Sequence, residues 1–270
     1  MEIMERTCNG VTYFASEGID AAGGVRHGFS TRLGGVSEGM WESLNLGVSR
    51  GDDPDHVREN YRRFFAAVGV DGGRIAMTNQ IHGGVVRCIT TADVRSDPYD
   101  KAGYEADGLM TDLPGVALLV YSADCIPILF YDPVRRVAAA VHAGWRGTAA
   151  GIASAAVERM REVYDCRPRD ILAAIGPGIG PDCFETHEDV PNAMTAALST
   201  AVLQHIKIKE NGKFSVDLKG INAMRLEQAG LEADHIAVSA LCSACHPEMF
   251  WSHRRLGTNR GSMAAVIQLK

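Results

Sequence analysis

Three residues far apart in the chain carry side chains able to bind a metal or to do acid–base and nucleophilic work: His82, Cys125 and His142. His142 opens the run His142-Ala-Gly-Trp-Arg146-Gly-Thr148 at the end of an apolar, strand-like segment, and a helical pattern follows. A glycine-containing turn from strand to helix presents backbone N–H groups that favour anions, and Arg146 adds a cationic fork beside it. Cys125 closes Ser122-Ala-Asp124-Cys125 directly after the apolar run VALLVYS, with Pro127 soon after. A thiolate there needs a cation nearby: a metal, an imidazolium or a guanidinium. His82 lies in Asn79-Gln80-Ile81-His82-Gly83-Gly84 at the end of another strand-like run, where paired glycines allow a sharp turn or close approach by a ligand.

Taken singly, each of the three reads most simply as structural. Together they offer one sulfur and two imidazoles, a donor set suited to zinc. Three protein ligands leave a fourth position for water or substrate, the mark of a catalytic zinc. The separations are too long for a local zinc finger, so the fold must gather the ligands. The same trio also fits a Cys nucleophile with a His base.

The elements that must do the gathering are legible as period and punctuation. GVTYFAS, VRHGFST, RIAMTNQIHG and VVRCIT read as strands. Asp53-Pro54 is a helix start, Val57, Tyr61, Phe64 and Val68 recur at helical spacing, and Gly69 is a stop. VALLVYSADC, PILFYD, VAAAVHAG and ILAAIG are short, almost wholly apolar runs, as expected of strands buried on both faces. TAAGIASAAVERMREVY reads as a helix, Asp217 to Gly230 as another, and HIAVSAL and SMAAVIQLK as closing strands. Residues 91–106 are polar and loop-like. The expectation is a single α/β catalytic domain over residues 1–270, a mixed sheet with helices packed on it.

Bulk properties exclude some partners. The net charge is −6 and no long basic run occurs, which argues against nucleic acid. The apolar runs fall far short of the ~20 residues of a membrane helix. The opening MEIMERTCNG does not read as a secretory signal, so the expected compartment is the cytoplasm. In that reducing setting the seven cysteines are expected as free thiols, most of them buried. Cys242-Ser-Ala-Cys245-His246 matches a haem-attachment pattern, but that chemistry requires export. As a second zinc site the segment lacks a fourth ligand, and it is expected to be structural. Gly176-Pro-Gly-Ile-Gly180-Pro is neither a P-loop nor a dinucleotide fingerprint and is expected to form a rigid loop lining a pocket.

Across nearly the whole chain the motifs resemble one family, known as the laccase-domain, multicopper polyphenol oxidase or peptidoglycan editing factor family. The resemblance rests on Phe29-Ser-Thr-Arg32, Gly34-Gly-Val-Ser37, Ser43-Leu-Asn45-Leu-Gly47, Gln80-Ile-His82-Gly83, Ala106-Asp107-Gly108, Ala123-Asp124-Cys125 and His142-Ala-Gly-Trp-Arg146-Gly. Gly176-Pro177, Cys245-His246-Pro-Glu248 and Arg254-Arg255 continue it. It implies an α/β fold and a catalytic zinc on His82, Cys125 and His142. It also implies phosphorolysis of adenosine, inosine and methylthioadenosine to base and ribose 1-phosphate, with adenosine deamination. Arg32, Ser37, Asn45, Gln80, Asp124 and Arg146 are then candidates to touch substrate or to support the ligands. The chain departs from the pattern at Cys183, at His253 and in Thr258-Asn-Arg260, which bears on substrate preference.

The expected function is therefore a zinc-dependent purine nucleoside enzyme, monomeric or homodimeric, with phosphate as co-substrate. The alternative is a metal-free Cys–His amide hydrolase acting on peptidoglycan precursors. A copper polyphenol oxidase ranks third: multicopper sites use many His ligands, commonly as His-x-His pairs, and this chain has nine His and no such pair.

Overall fold

In the computed structural model, which describes residues 1–270, the first strands are β1 (Ile3–Cys8), β2 (Val11–Ser16), β3 (Val25–Ser30), β4 (Ile75–Ala76) and β5 (Val86–Cys88). The central ones are β6 (Gly108–Thr111), β7 (Ala117–Ser122), β8 (Ile126–Asp132), β9 (Val137–Ala143) and β10 (Leu172–Ile175). Then come β11 (Glu185–Thr186), β12 (Ile206–Ile208), β13 (Phe214–Val216), β14 (Ile236–Val238) and β15 (Met263–Leu269). The helices are α1 (Glu17–Ala22), α2 (Pro54–Val68), α3 (Trp145–Ala149), α4 (Ile152–Tyr164), α5 (Asp189–Leu198), α6 (Leu218–Gln228) and α7 (His253–Leu256).

The strands form two six-stranded mixed sheets, ordered β1-β2-β3-β15-β7-β4 and β14-β10-β8-β9-β6-β5, with a small β11-β13-β12 sheet beside them. The mixed α/β class is the one expected, and the apolar runs are explained by layering rather than by a parallel sheet. Alternate residues of each central strand face different cores. Leu118 and Val120 of β7, Leu129 and Tyr131 of β8, and Ala138 and Ala140 of β9 pack between the two sheets. Ala117 and Leu119 turn outward under α2, while Ile128, Phe130, Ala139 and Val141 turn outward under α4 and α6. Both faces of these central strands are covered, so no polar alternation survives in their sequence.

Local chemistry sets the helix ends. Asp53 accepts from the Asp55 N–H at 2.8 Å, Pro54 occupies the first turn, and Gly69 closes α2 in the left-handed region at φ 80°. Asp217 caps α6 through the Gly220 N–H. The expected helix after Thr148 is broken: Gly151, at φ 75°, separates the five-residue α3 from α4. The expected strand over 74–83 shrinks to Ile75–Ala76. Beyond it side chains replace the ladder. Thr78 Oγ1 donates to Ala106 O, and Gln80 exchanges hydrogen bonds with the backbone of Tyr121 at 2.9 and 2.6 Å. No helix of the chain is long and apolar enough to cross a membrane.

Candidate metal centre

Sheet register assembles the site around the end of β9. Ile126 of β8 pairs with Ala143, so Cys125, one residue before β8, comes level with Gly144. On the other side of β9, Gly108 of β6 pairs with Val141, which brings Asp107 against His142. His142 has the parity of Ala138 and Ala140 and points between the sheets, where it is 2% exposed. His82 arrives from the irregular segment after β4 and is exposed. The left-handed backbone is taken by His82 itself, at φ 61°, and not by the paired glycines. That conformation costs a side-chain-bearing residue about 1–2 kcal/mol.

Asp107 compensates. Its carboxylate accepts from three successive backbone N–H groups, of Ile81, His82 and Gly83, at 3.2, 2.9 and 2.7 Å. The same carboxylate lies 2.8 Å from His142 Nδ1. An ionised carboxylate only accepts, so Nδ1 carries a proton, and Nε2 is the nitrogen that can face a metal once its own proton is displaced.

The ligand-competent atoms of His82, Cys125 and His142 all lie within 4.8 Å of one another. The imidazole rings meet edge to face with centroids 4.8 Å apart. Burial pushes the Cys125 thiol up, but His142, and to a lesser degree His82, outweigh burial and bring it down to about 6. Burial pushes His142 down, and Cys125 with Asp107 outweighs it and brings the imidazole up to about 9. The donors enclose a space next to Gly144: a Cβ there would lie 2.8 Å from His82 Cδ2 and 3.2 Å from Cys125 Sγ. Two nitrogens, one sulfur and an open side fit a tetrahedral zinc with one exchangeable position.

The remaining sequence candidates divide. Gln80 pins the His82 segment to β7 and has no free polar group toward the donors. Asp124, at φ 90°, accepts from Ser243 Oγ at 2.7 Å and from the Arg254 N–H at 2.6 Å. It ties the Cys125 turn to the C-terminal segment, while Asp107 is the carboxylate that orients a donor. Arg32 donates to the carbonyls of Glu42 and Pro247 and lies 3.8 Å over the Trp251 ring, so its guanidinium is committed to the fold. Ser37 donates to Asp52, as does Asn45, and Asn60 donates to Ser37 Oγ, in one polar network. Arg146 is exposed, with its guanidinium 4.3 Å from the centre of the Trp145 ring. Five residues of helix give it little dipole support, contrary to the strand-to-helix expectation. The glycine loop backs the Cys125 turn: a Cβ on Gly178 would lie 3.0 Å from Asp124 O and 3.1 Å from Cys125 O.

Residues 26–270 match the family described as multi-copper polyphenol oxidoreductase laccase. The chain belongs to this laccase-domain family. It is 36% identical over 246 residues to the purine nucleoside phosphorylase YlmD of Geobacillus stearothermophilus, covering 90% of both chains. It is 37% identical over 249 residues to the purine nucleoside phosphorylase YfiH of Escherichia coli, covering 91% of this chain and 94% of that one. The crystal structure of YlmD from Geobacillus stearothermophilus superposes with a TM-score of 0.92 at 33% identity over all of both chains. That of YfiH from Bacillus licheniformis gives 0.89 at 33% identity, over 98% of this chain and 99% of that chain.

Two features of this laccase-domain chain escaped the sequence reading of the site. One is Asp107, visible only as part of Ala106-Asp107-Gly108. The other is a pair of arginines. Arg260 NH1 reaches Ser262 Oγ at 3.4 Å and Arg50 Nε reaches the same oxygen at 3.2 Å. Asn45 Oδ1 fixes this point by accepting from the Ser262 N–H at 2.9 Å. Arg260 is 7% exposed and its Nε has no partner. Burial, then the Arg50 charge, push it down to about 10, against the weaker opposite pull of Asp124 and Cys125. Pairing of Met263 with Ser122 places this cradle at the edge of the sandwich from which the Cys125 turn emerges. The signal was Arg260 in the departing Thr258-Asn-Arg260 segment, but nothing in the sequence linked it to Arg50.

Proposed function

We propose that this chain is a zinc-dependent purine nucleoside phosphorylase, with residues 1–270 as one catalytic domain and His82, Cys125 and His142 as the metal ligands. The observation that carries the reading is the gathering of two imidazoles and a thiol with one side open, beside two arginines that share a hydroxyl and lack a carboxylate hydrogen-bond partner. The names of the relatives support the same activity. Zinc bound there would supply Lewis-acid chemistry to a substrate oxygen. The chain's own groups do the rest. Asp107 holds the His142 proton on Nδ1 and fixes the His82 backbone. Arg260 and Arg50 bind phosphate, with Asn45 setting Ser262 between them, and Arg146 adds positive charge at the rim.

In phosphorolysis a phosphate oxygen forms a bond to the ribose anomeric carbon as the bond from that carbon to the base nitrogen breaks. The base leaves and ribose 1-phosphate remains. Fixed guanidinium groups aimed at phosphate lower the barrier chiefly by positioning and by charge. Adenosine, inosine and methylthioadenosine are the proposed substrates, and the proposed side activity is adenosine deamination, in which water adds at C6 of the purine and ammonia leaves to give inosine.

The test is product analysis with each nucleoside, with and without phosphate, alongside metal analysis. The reading expects base and ribose 1-phosphate only with phosphate, with zinc and activity both lost in His82→Ala. Turnover equal to that of His82→Ala would end it. The low-titrating Cys125 thiol beside a high-titrating His142 also favours a second reading, a Cys–His amide hydrolase. That reading requires activity to survive complete metal removal and to vanish on alkylation of Cys125.

A further inference from the structure

The chain contains a second group of soft donors. Cys183, Cys242 and Cys245 place three sulfur atoms within 4.8 Å of one another. Cys183 Sγ and Cys245 Sγ are 3.4 Å apart, and all three thiols are free. Sulfurs bound to one zinc at ~2.3 Å lie about 3.8 Å apart, so the observed spread is that of a metal triangle. A disulfide bond needs about 2.05 Å.

The surroundings of Cys242 favour thiolate, whereas burial and then the neighbouring sulfurs push the Cys183 thiol up to about 12. Cys242-Ser-Ala-Cys245 makes a tight turn, with Cys245 N–H and His246 N–H both donating to Cys242 O at 3.2 Å. Cys242 Sγ accepts from the Gly180 N–H at 3.1 Å. Gly180 permits that approach, since a Cβ there would sit 3.1 Å from Cys242 Cβ. The buried Lys219 ammonium donates to Ser239 O and Leu241 O at 2.7 and 2.9 Å, which leaves its charge uncancelled one residue from Cys242. Backbone N–H groups and a nearby cation are what hold sulfur as thiolate. Cys183 is half-buried, Cys242 buried and Cys245 exposed, so the triangle is closed behind and open to solvent in front. His246, the third donor suggested by adjacency in sequence, points instead to Glu248 at 3.2 Å.

We propose that Cys183, Cys242 and Cys245 form a second metal site, a tris-thiolate that takes one soft closed-shell cation, zinc(II) or copper(I). Three thiolates select these ions over hard divalent cations. The ion would join two pieces of chain: the glycine loop through Cys183, and the C-terminal segment through Cys242 and Cys245. Ser243, between those two cysteines, donates to Asp124 beside Cys125, so the site braces the turn that presents the first centre's sulfur.

The test uses cadmium(II) as probe on the reduced, metal-stripped full chain, with zinc(II) and copper(I) titrations as separate arms to rank the two ions. Wild type is expected to bind about two cadmium ions per chain, one at each centre. The His82→Ala/His142→Ala variant should keep one, with the ultraviolet thiolate-to-metal band of three sulfurs. Cys183→Ser/Cys245→Ser should lose that ion and its band. If wild type binds a single ion, the variant that loses it shows which centre is real, independently of the nucleoside reading. The proposal is overturned if Cys183→Ser/Cys245→Ser binds as many ions as wild type with an unchanged band. Replacing only the exposed Cys245 with Ser gives the same reading at smaller risk to folding.

Discussion

Asp107 Oδ1 lies 2.8 Å from His142 Nδ1 and 2.9 Å from the backbone nitrogen of His82. One carboxylate therefore sets the ring of one candidate ligand and the main chain of another. It is fully buried, and its accepted hydrogen bonds, above all that from His142, hold it below the usual carboxylate range against the opposing effect of burial. The two histidines belong to different segments, and Asp107 makes their separation a fixed quantity.

Replacing Asp107 with Asn tests that link. The amide still fills the space but loses the negative charge, and it turns an N–H group toward one of its present donors. Loss of such an outer partner typically lowers metal affinity about 10–100-fold. A chelator-competition titration of zinc on Asp107→Asn against wild type measures it. Equal affinities would show that Asp107 serves the fold alone.

Gly144→Ala tests the space between the donors. Gly144 has φ −67° and ψ 169°, a conformation open to alanine, so backbone strain does not enter. The new methyl would meet His82 Cδ2 at 2.8 Å and Cys125 Sγ at 3.2 Å. His82 is exposed and gives way first. The expected result is a protein with a melting temperature close to wild type and a metal content well below it. Full metal occupancy in Gly144→Ala would mean that the donors close elsewhere.

Much of this was legible before the structure. Asp53-Pro54 and Gly69 bounded α2 because caps act locally. The four central apolar runs became strands because burial on both faces leaves no other pattern. The second sheet was not legible, since a continuous apolar run records that two faces are covered and not what covers them. His82, Cys125 and His142 stood out by residue type, and the structure draws them together. Asp107 and Arg50 did not, because their roles depend on β6–β9 register and on one shared hydroxyl. Cys183 was noticed only as an irregularity, 59 residues before Cys242, until the loop fold put their sulfurs side by side.

Arg260→Gln should separate phosphate binding from nucleoside binding. The glutamine keeps a polar group near Ser262 but removes a fixed charge. A hydrogen bond from a charged group is worth about 1.5–3 kcal/mol. The apparent KM for phosphate should therefore rise by about 10-fold or more, with the KM for nucleoside little changed. Arsenate, similar in shape and charge, should suffer equally. A rise in nucleoside KM alone would move the arginines to the other substrate.

His27 gives a pH prediction away from the metal centre. It is 3% exposed in β3, its Nε2 accepts from the Ser16 N–H at 2.8 Å, and its Nδ1 lies 3.5 Å from Asp20 Oδ1. Burial pushes its titration down to about 4, outweighing the attraction of Asp20, which is itself paired with Arg6 at 2.6 Å. In the unfolded chain the imidazole titrates at about 6.5. Between these values the unfolded state binds more protons, so stability rises with pH across that window. The contribution is complete above pH ~6.5 and is lost as pH falls through about 4, on the order of 3 kcal/mol in all. Protonation of Nε2 also removes the acceptor for Ser16. His27→Gln offers an acceptor that does not titrate. Its urea midpoint should therefore fall less than that of wild type between pH 7 and pH 4.5, whatever the offset at pH 7. Parallel declines in the two proteins would assign the acid sensitivity to other groups.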